Sequence, residues 1–104
     1  TNIGPNSSIG NFCIVNSGSS IDHDCKLGDF SSIAPGVFTG GNVTIGVRSA
    51  ISIGTIVKQG ISIGEDVVIG AKSYVDKDLD DCIIAYGIPC VKIRSRNRGE
   101  SYLT

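Results

Sequence analysis

The chain has no methionine, no tryptophan and one histidine in 104 residues. Without Met at position 1, either an initiator residue stood before Thr1 or the chain is a piece of a longer protein. Strong charge of one sign is also missing. The net charge of −1 gives no basic field of the kind that marks nucleic-acid binding. No apolar run approaches the roughly 18 residues of a membrane helix, and no signal peptide is visible. A soluble, cytoplasmic protein of one domain is the expectation. Apolar residues at a spacing near 3.6 are absent, which argues against amphipathic helices. The four cysteines, Cys13, Cys25, Cys82 and Cys90, form no CxxC pair, and one histidine cannot complete a Cys/His zinc set of the usual spacing. Reduced, partly buried thiols are expected instead.

What the chain has is glycine and a strict period. Fourteen glycines are about twice the usual share, without collagen spacing. Every sixth residue from position 3 reads Ile3, Ile9, Val15, Ile21, Leu27, Ile33, Thr39, Ile45, Ile51, Val57, Ile63, Ile69, Val75. All but Thr39 are aliphatic. The residue two places earlier is small or β-branched each time, as in Ser7, Cys13, Ser19, Cys25, Ser31 and Val37. Residues two apart share one side of a strand, so each hexad predicts one short strand with a small and a large residue pointing inward. Glycine often follows the aliphatic position, where a tight turn is needed. This is the hexapeptide signature of a parallel β-helix.

The pattern is identified as that of the left-handed β-helix of hexapeptide-repeat acyltransferases. The resemblance, not the period, supplies the handedness. In that fold three hexads make one triangular coil, so residues eighteen apart stack, about 4.8 Å from coil to coil. About four coils are expected over residues 1–76. Outward columns then read Ser8, Lys26, Thr44, Ser62 on a polar face; Ser20, Phe38, Ile56, Tyr74 on another; and Ile14, Ser32, Ala50, Val68 on the third. Two adjacent faces are partly apolar, which points to a homo-oligomer. The family resemblance makes it a homotrimer. Residues 77–104 are expected to form a capping strand and a tail, with 76–93 as the cap. The tail, from Arg94 onward, is expected to be flexible or to pack on a neighbour.

The histidine stands in Ile21-Asp22-His23-Asp24-Cys25, two residues past an inward aliphatic and therefore on a corner. Gly41 stacks one coil later, beside Gly40. An imidazole one coil from a bare backbone N–H suits acyl transfer. The ring takes a proton from an attacking amine or hydroxyl, and the N–H stabilises the charge that develops on the acyl oxygen. Asp22 or Asp24 would orient the ring.

The run from Ile21 to Gly36, continued through Gly41-Asn42-Val43-Thr44-Ile45-Gly46 to Gly87-Ile88-Pro89, resembles the sugar acetyltransferases of bacterial surface-polysaccharide biosynthesis. These include N-acetyltransferases of UDP-4-amino-sugars and O-acetyltransferases of sialic-acid clusters. The resemblance implies an acetyl-CoA-dependent transfer of acetyl to an amino or hydroxyl group of a sugar or nucleotide-sugar, with no metal. By position it implies His23 as general base, Asp24 as its acidic partner and Gly41 as the N–H facing the thioester carbonyl. It implies Asn16 and Ser32 near the acceptor, and Ser52, Gly70 and Ala71 along the groove for the pantetheine arm of the donor. Ser32 stands where many relatives carry a second histidine. The C-terminal motif reads Gly87-Ile88-Pro89-Cys90-Val91-Lys92 in place of the usual Gly-x-Pro-Ala-Lys. Many relatives carry an N-terminal α/β domain that binds the nucleotide-sugar; this sequence starts at or just before the β-helix, so either it is a fragment or its acceptor is held differently.

Two other readings weigh less. A metalloenzyme of the γ-carbonic anhydrase kind needs three histidines on the metal. A non-catalytic or degenerate β-helix is compatible with the altered C-terminal motif, although the Thr-x-Thr columns of ice-binding helices are missing.

Overall fold

In a computed structural model, residues 2–96 are described; residues 97–104, which hold most of the expected tail, lie outside them. The hexads become two-residue strands, separated by turns, that stack into three parallel sheets. The first face is built from Asn2–Ile3, Ser20–Ile21, Phe38–Thr39, Ile56–Val57 and Tyr74–Val75. The second holds Ser8–Ile9, Lys26–Leu27, Thr44–Ile45 and Ser62–Ile63. The third holds Ile14–Val15, Ser32–Ile33, Ala50–Ile51, Val68–Ile69, Ile83–Tyr86 and Val91–Ser95. Through the first four coils each strand pairs with the one eighteen positions on, for example Ile21 with Thr39 and Ile33 with Ile51. The large inward side chains Ile21, Ile33, Ile45, Ile51, Ile63 and Ile69 fill the axis, all at most 1% exposed. Ile3 and Ile9 hold the same inward positions in the first coil but are 47% and 37% exposed, because they form the end of the stack.

The small polar residues before the aliphatic ones have a separate role. The bend at each corner takes a backbone N–H out of the ladder, and a buried N–H requires an acceptor. Ser49 Oγ accepts from Val67 N–H at 3.0 Å and donates to Gly64 C=O at 2.7 Å. Ser7 and Ser73 do the same for the N–H groups of Cys25 and Gly87. Successive coils are thus stitched through hydroxyls as well as through strands.

Parallel stacking continues past Asp76, giving about five coils where the hexads alone count four. The period drops from eighteen to sixteen there: Leu79 bridges to Ile63, and Ala85 pairs with Ile69. Two carboxylates make up for the shortened turns. Asp78 Oδ1 accepts from Ser62 N–H and Asp81 Oδ1 from Glu65 N–H, each at 2.8 Å. The chain then reverses at Gly87–Cys90, and Val91–Ser95 pairs antiparallel with Ile83–Tyr86. Arg94 lies in that last strand rather than in a loose tail. Arg96 is buried, with its backbone N–H on Cys82 C=O at 2.7 Å and Nη1 on Asp66 C=O at 3.1 Å.

Candidate active site

His23 occupies the corner between the first and second faces, held at both ends by backbone bonds. Its carbonyl accepts from Asn42 N–H in the coil above, and Asp24 N–H donates to Pro5 C=O in the coil below, both at 3.0 Å. Asp24 takes a left-handed conformation with φ of 57°, which Asp tolerates better than most residues. That twist brings Asp24 Oδ2 to 2.9 Å from His23 Nδ1. Asp22 Oδ1 accepts from the His23 backbone N–H at 2.8 Å. With Nδ1 donating to Asp24, Nε2 keeps the lone pair. The hydrogen bond to Asp24 and, after it, the charge of Asp22 hold the imidazole above its ordinary pKa. Both side chains are about half exposed.

The imidazole packs on Gly41. A Cβ there would come within 2.6 Å of ring atoms Cε1 and Nε2, so only glycine leaves room for the ring in this position. Backbone N–H groups at equivalent corner positions turn outward: those of Asn11 and Glu65 reach the carboxylates of Asp29 and Asp81. The Gly41 N–H meets no such acceptor among the described residues. Behind the corner, the buried Cys25 thiol donates to Gly40 C=O at 3.3 Å and fixes the turn from within. The four cysteines are free thiols.

The remaining sequence-derived candidates stand elsewhere on the same chain. Asn16, Ser52, Gly70 and Ala71 lie on the corner between the third and first faces, and Ser32 points outward from the third. Asn16 Nδ2 donates to Ile33 C=O at 3.1 Å. Gly70 is covered by the Tyr86 ring, which an added Cβ would strike. One chain therefore brings His23, Asp24 and Gly41 together and leaves the other five across the width of the first face. Gln59 is a neighbour that the sequence reading overlooked. It stacks one coil beyond Gly41, and the following residue, Gly60, donates its N–H to Gly41 C=O at 2.9 Å. Counting eighteen twice from His23 finds it. Among the described residues, no group of three or more His, Cys, Asp or Glu side chains could hold a metal ion. None of them forms a helix long and apolar enough to cross a membrane.

This architecture defines a hexapeptide-repeat left-handed β-helix, and comparison with known proteins gives the same class. The chain is similar to sugar acetyltransferases within that class. Its fold matches a mutant of GDP-perosamine N-acetyltransferase from Caulobacter crescentus, solved with CoA and GDP-perosamine. The TM-score is 0.86 at 36% identity, over 86% of this chain and 43% of that one. The acetyltransferase domain of PglB from Neisseria gonorrhoeae, in complex with acetyl coenzyme A, also gives 0.86, at 32% identity over 88% and 44% of the two chains. Among curated proteins, GDP-perosamine N-acetyltransferase of Escherichia coli is 38% identical over 69 residues, covering 66% of this chain. No family model matches the sequence. The chain spans 31% of the length of that Escherichia coli relative, and 27% of the galactoside O-acetyltransferase from the same species.

Proposed function

We propose that this chain carries the catalytic β-helix of an acetyl-CoA-dependent acetyltransferase acting on an amino, or hydroxyl, group of a sugar or nucleotide-sugar. The observation that carries the reading is the His23 ring, held through Nδ1 by Asp24 and placed against Gly41. The thioester is already activated, so the protein's work is placement, proton removal and charge stabilisation. Nε2 of His23 takes the proton as the acceptor nitrogen or oxygen attacks the acetyl carbonyl. The Gly41 N–H donates to the carbonyl oxygen as it becomes negative. Collapse breaks the C–S bond, and the leaving thiolate takes the proton from the imidazolium. Asp24 stabilises that imidazolium while it exists.

In this reading the protein works as a homotrimer in the cytoplasm. Ser52, Gly70 and Ala71 of one copy line the donor's arm, and Asn16 and Ser32 approach the acceptor beside the His23 corner of the next copy. The relatives solved with CoA, acetyl coenzyme A and GDP-perosamine support both ligand classes. Calorimetric titration with acetyl-CoA is the test. Saturable binding at about one site per chain, with acetyl transfer to amino-sugar acceptors that His23→Ala abolishes, is the expected result. A folded assembly that does not bind acetyl-CoA overturns the reading.

A further inference from the structure

Thr39 is the one break in the sixfold aliphatic column that fills the axis, and it pairs with Ile21 one coil below, behind the His23 corner. Its side chain is buried. Burying a hydroxyl is costly unless hydrogen bonds replace the water it loses. A valine, as at Val57 in the next coil, would fill the same space without that cost. The partners of the hydroxyl are therefore informative. Gly4, Gly40 and Lys58 stand at the point of their coils where Asp22 stands in its own. Their N–H groups donate to the backbone carbonyls of Ile21, Val57 and Val75 at 2.7, 2.9 and 2.9 Å. The Asp22 N–H donates to the Thr39 hydroxyl, at 3.4 Å.

The same hydroxyl stands 3.6 Å from the Sγ of Cys25, which is also buried. Of the two carbonyls near that thiol, Gly40 C=O is the closer at 3.3 Å, and His23 C=O, at 3.7 Å, already accepts from Asn42 N–H. With the thiol hydrogen on Gly40, the hydroxyl hydrogen is left for Sγ. A continuous chain then runs from the Asp22 amide through Thr39 and Cys25 to the Gly40 carbonyl, tying together two turns that stack one coil apart. Its far end matters because Gly40 C=O and Gly41 N–H belong to one planar trans peptide and point in opposite directions. A carbonyl drawn inward to a buried thiol turns the Gly41 N–H outward, away from the core.

We propose that Thr39 is a positioning residue for acetyl transfer: through Cys25 it orients the Gly40–Gly41 peptide, and so the N–H presented to the acyl oxygen, against the turn that carries His23. The inference rests on the transferase reading for the role of that N–H. A donor that stabilises developing charge has to stand in place before the charge appears. Thr39 supplies that fixity from inside the prism, without touching either substrate. An aliphatic residue in its place would deprive the Asp22 N–H of this acceptor and Cys25 Sγ of this donor, and would leave the two turns joined by fewer bonds at the point where base and N–H must act together.

Thr39→Val keeps the shape of the side chain and removes the hydroxyl. Its kcat for acetyl transfer to an amino-sugar is expected to fall about 10- to 100-fold, short of the loss of a whole oxyanion donor, while KM for acetyl-CoA and the melting temperature stay near the parent's. Thr39→Ser returns the hydroxyl and is expected to recover most of the rate. Cys25→Ala breaks the next link, so combined with Thr39→Val it should cost no more than the slower single variant. A parent-like kcat in Thr39→Val, a serine variant as slow as the valine, or losses that multiply in the double variant overturns the proposal. A second readout needs no substrate. In proton–nitrogen NMR spectra, Thr39→Val is expected to speed exchange of the Asp22 amide and to shift the Gly41 amide, with Gly64 and Gly70 unmoved. Asp22 and Gly41 signals that stay in place also overturn it. A parent that binds no acetyl-CoA, together with amides that respond to Thr39→Val, would refute the transferase reading and with it the catalytic use of the chain of bonds, while its coupling of the two turns stands.

Discussion

The imidazole of His23 lies on the bare Cα of Gly41, eighteen positions further along the chain, and an added methyl carbon there would be 2.6 Å from Nε2. The obstruction would be a half-exposed side chain with room to swing outward. Gly41→Ala is therefore expected to leave the melting temperature nearly unchanged and to move the base off its position. Misplacement of about 1 Å costs on the order of 100-fold in rate. Acetyl transfer measured at saturating donor and acceptor should fall by about that factor. An undiminished rate would separate Gly41 from the chemistry.

As the proposed general base, His23 would act only when neutral, so activity should fall as the pH drops through its pKa. Asp24 is the main reason that this pKa is raised. Asp24→Asn removes the hydrogen-bonded charge and should shift the acidic limb of the rate profile to lower pH, while lowering the plateau because the ring loses its orienting carboxylate. Asp22→Asn should shift the limb in the same direction by less, since Asp22 acts through charge alone. A limb that stays in place in Asp24→Asn would show that another group sets it.

The axis of the prism should tolerate little. Ile51 is 1% exposed and packs between the coils of Ile33 and Ile69. Ile51→Ala is expected to cost about 2–5 kcal/mol, through lost burial and the cavity left behind. Denaturant unfolding followed by circular dichroism would measure it, and a loss below about 1 kcal/mol would mean that neighbouring coils collapse into the gap.

The out-of-phase fifth coil depends on carboxylates: Asp78 accepts from Ser62 N–H where the equivalent Ser8 and Thr44 N–H groups reach backbone carbonyls, and Asp81 takes Glu65 N–H as Asp29 takes Asn11 N–H. Asp81→Ala strips the acceptor from Glu65 N–H. A cost of about 1 kcal/mol is expected, because the group is exposed and water can replace the lost bond. Hydrogen exchange should speed up selectively in Ile83–Tyr86 and Val91–Ser95, with the coils before Ile63 unaffected.

Much of this architecture was legible in the sequence because the β-helix repeats its own address. A fixed step of six assigns each residue to a face and a step of eighteen assigns its neighbour, so the stacking of His23 on Gly41 follows from counting. Counting fails where the step changes. Between Ile63 and Leu79 two residues are dropped, and what restores the ladder is a pair of aspartate side chains, which leave no periodic trace. The contact between Asp24 and the ring was foreshadowed by adjacency, but the left-handed twist that makes it is a property of the backbone. Asn16, Ser32, Ser52, Gly70 and Ala71 were suggested by resemblance alone, and a single chain holds them apart from His23. Phe12 and Phe30 stand eighteen apart in plain view. Their stacking and exposure required coordinates.

A stack of equal coils is also a ruler. Its graduations are about 4.8 Å, fixed by strand pairing and indifferent to side chains. Whatever lies along the corner above His23 is measured in whole coils, Gly41 at the first mark and Gln59 at the second. Splicing in or removing one coil of eighteen residues would keep every face and every inward position in register while resetting the distance from the base to the far end of the prism by one graduation. Length, rather than shape, is the quantity that such a scaffold leaves free to evolve.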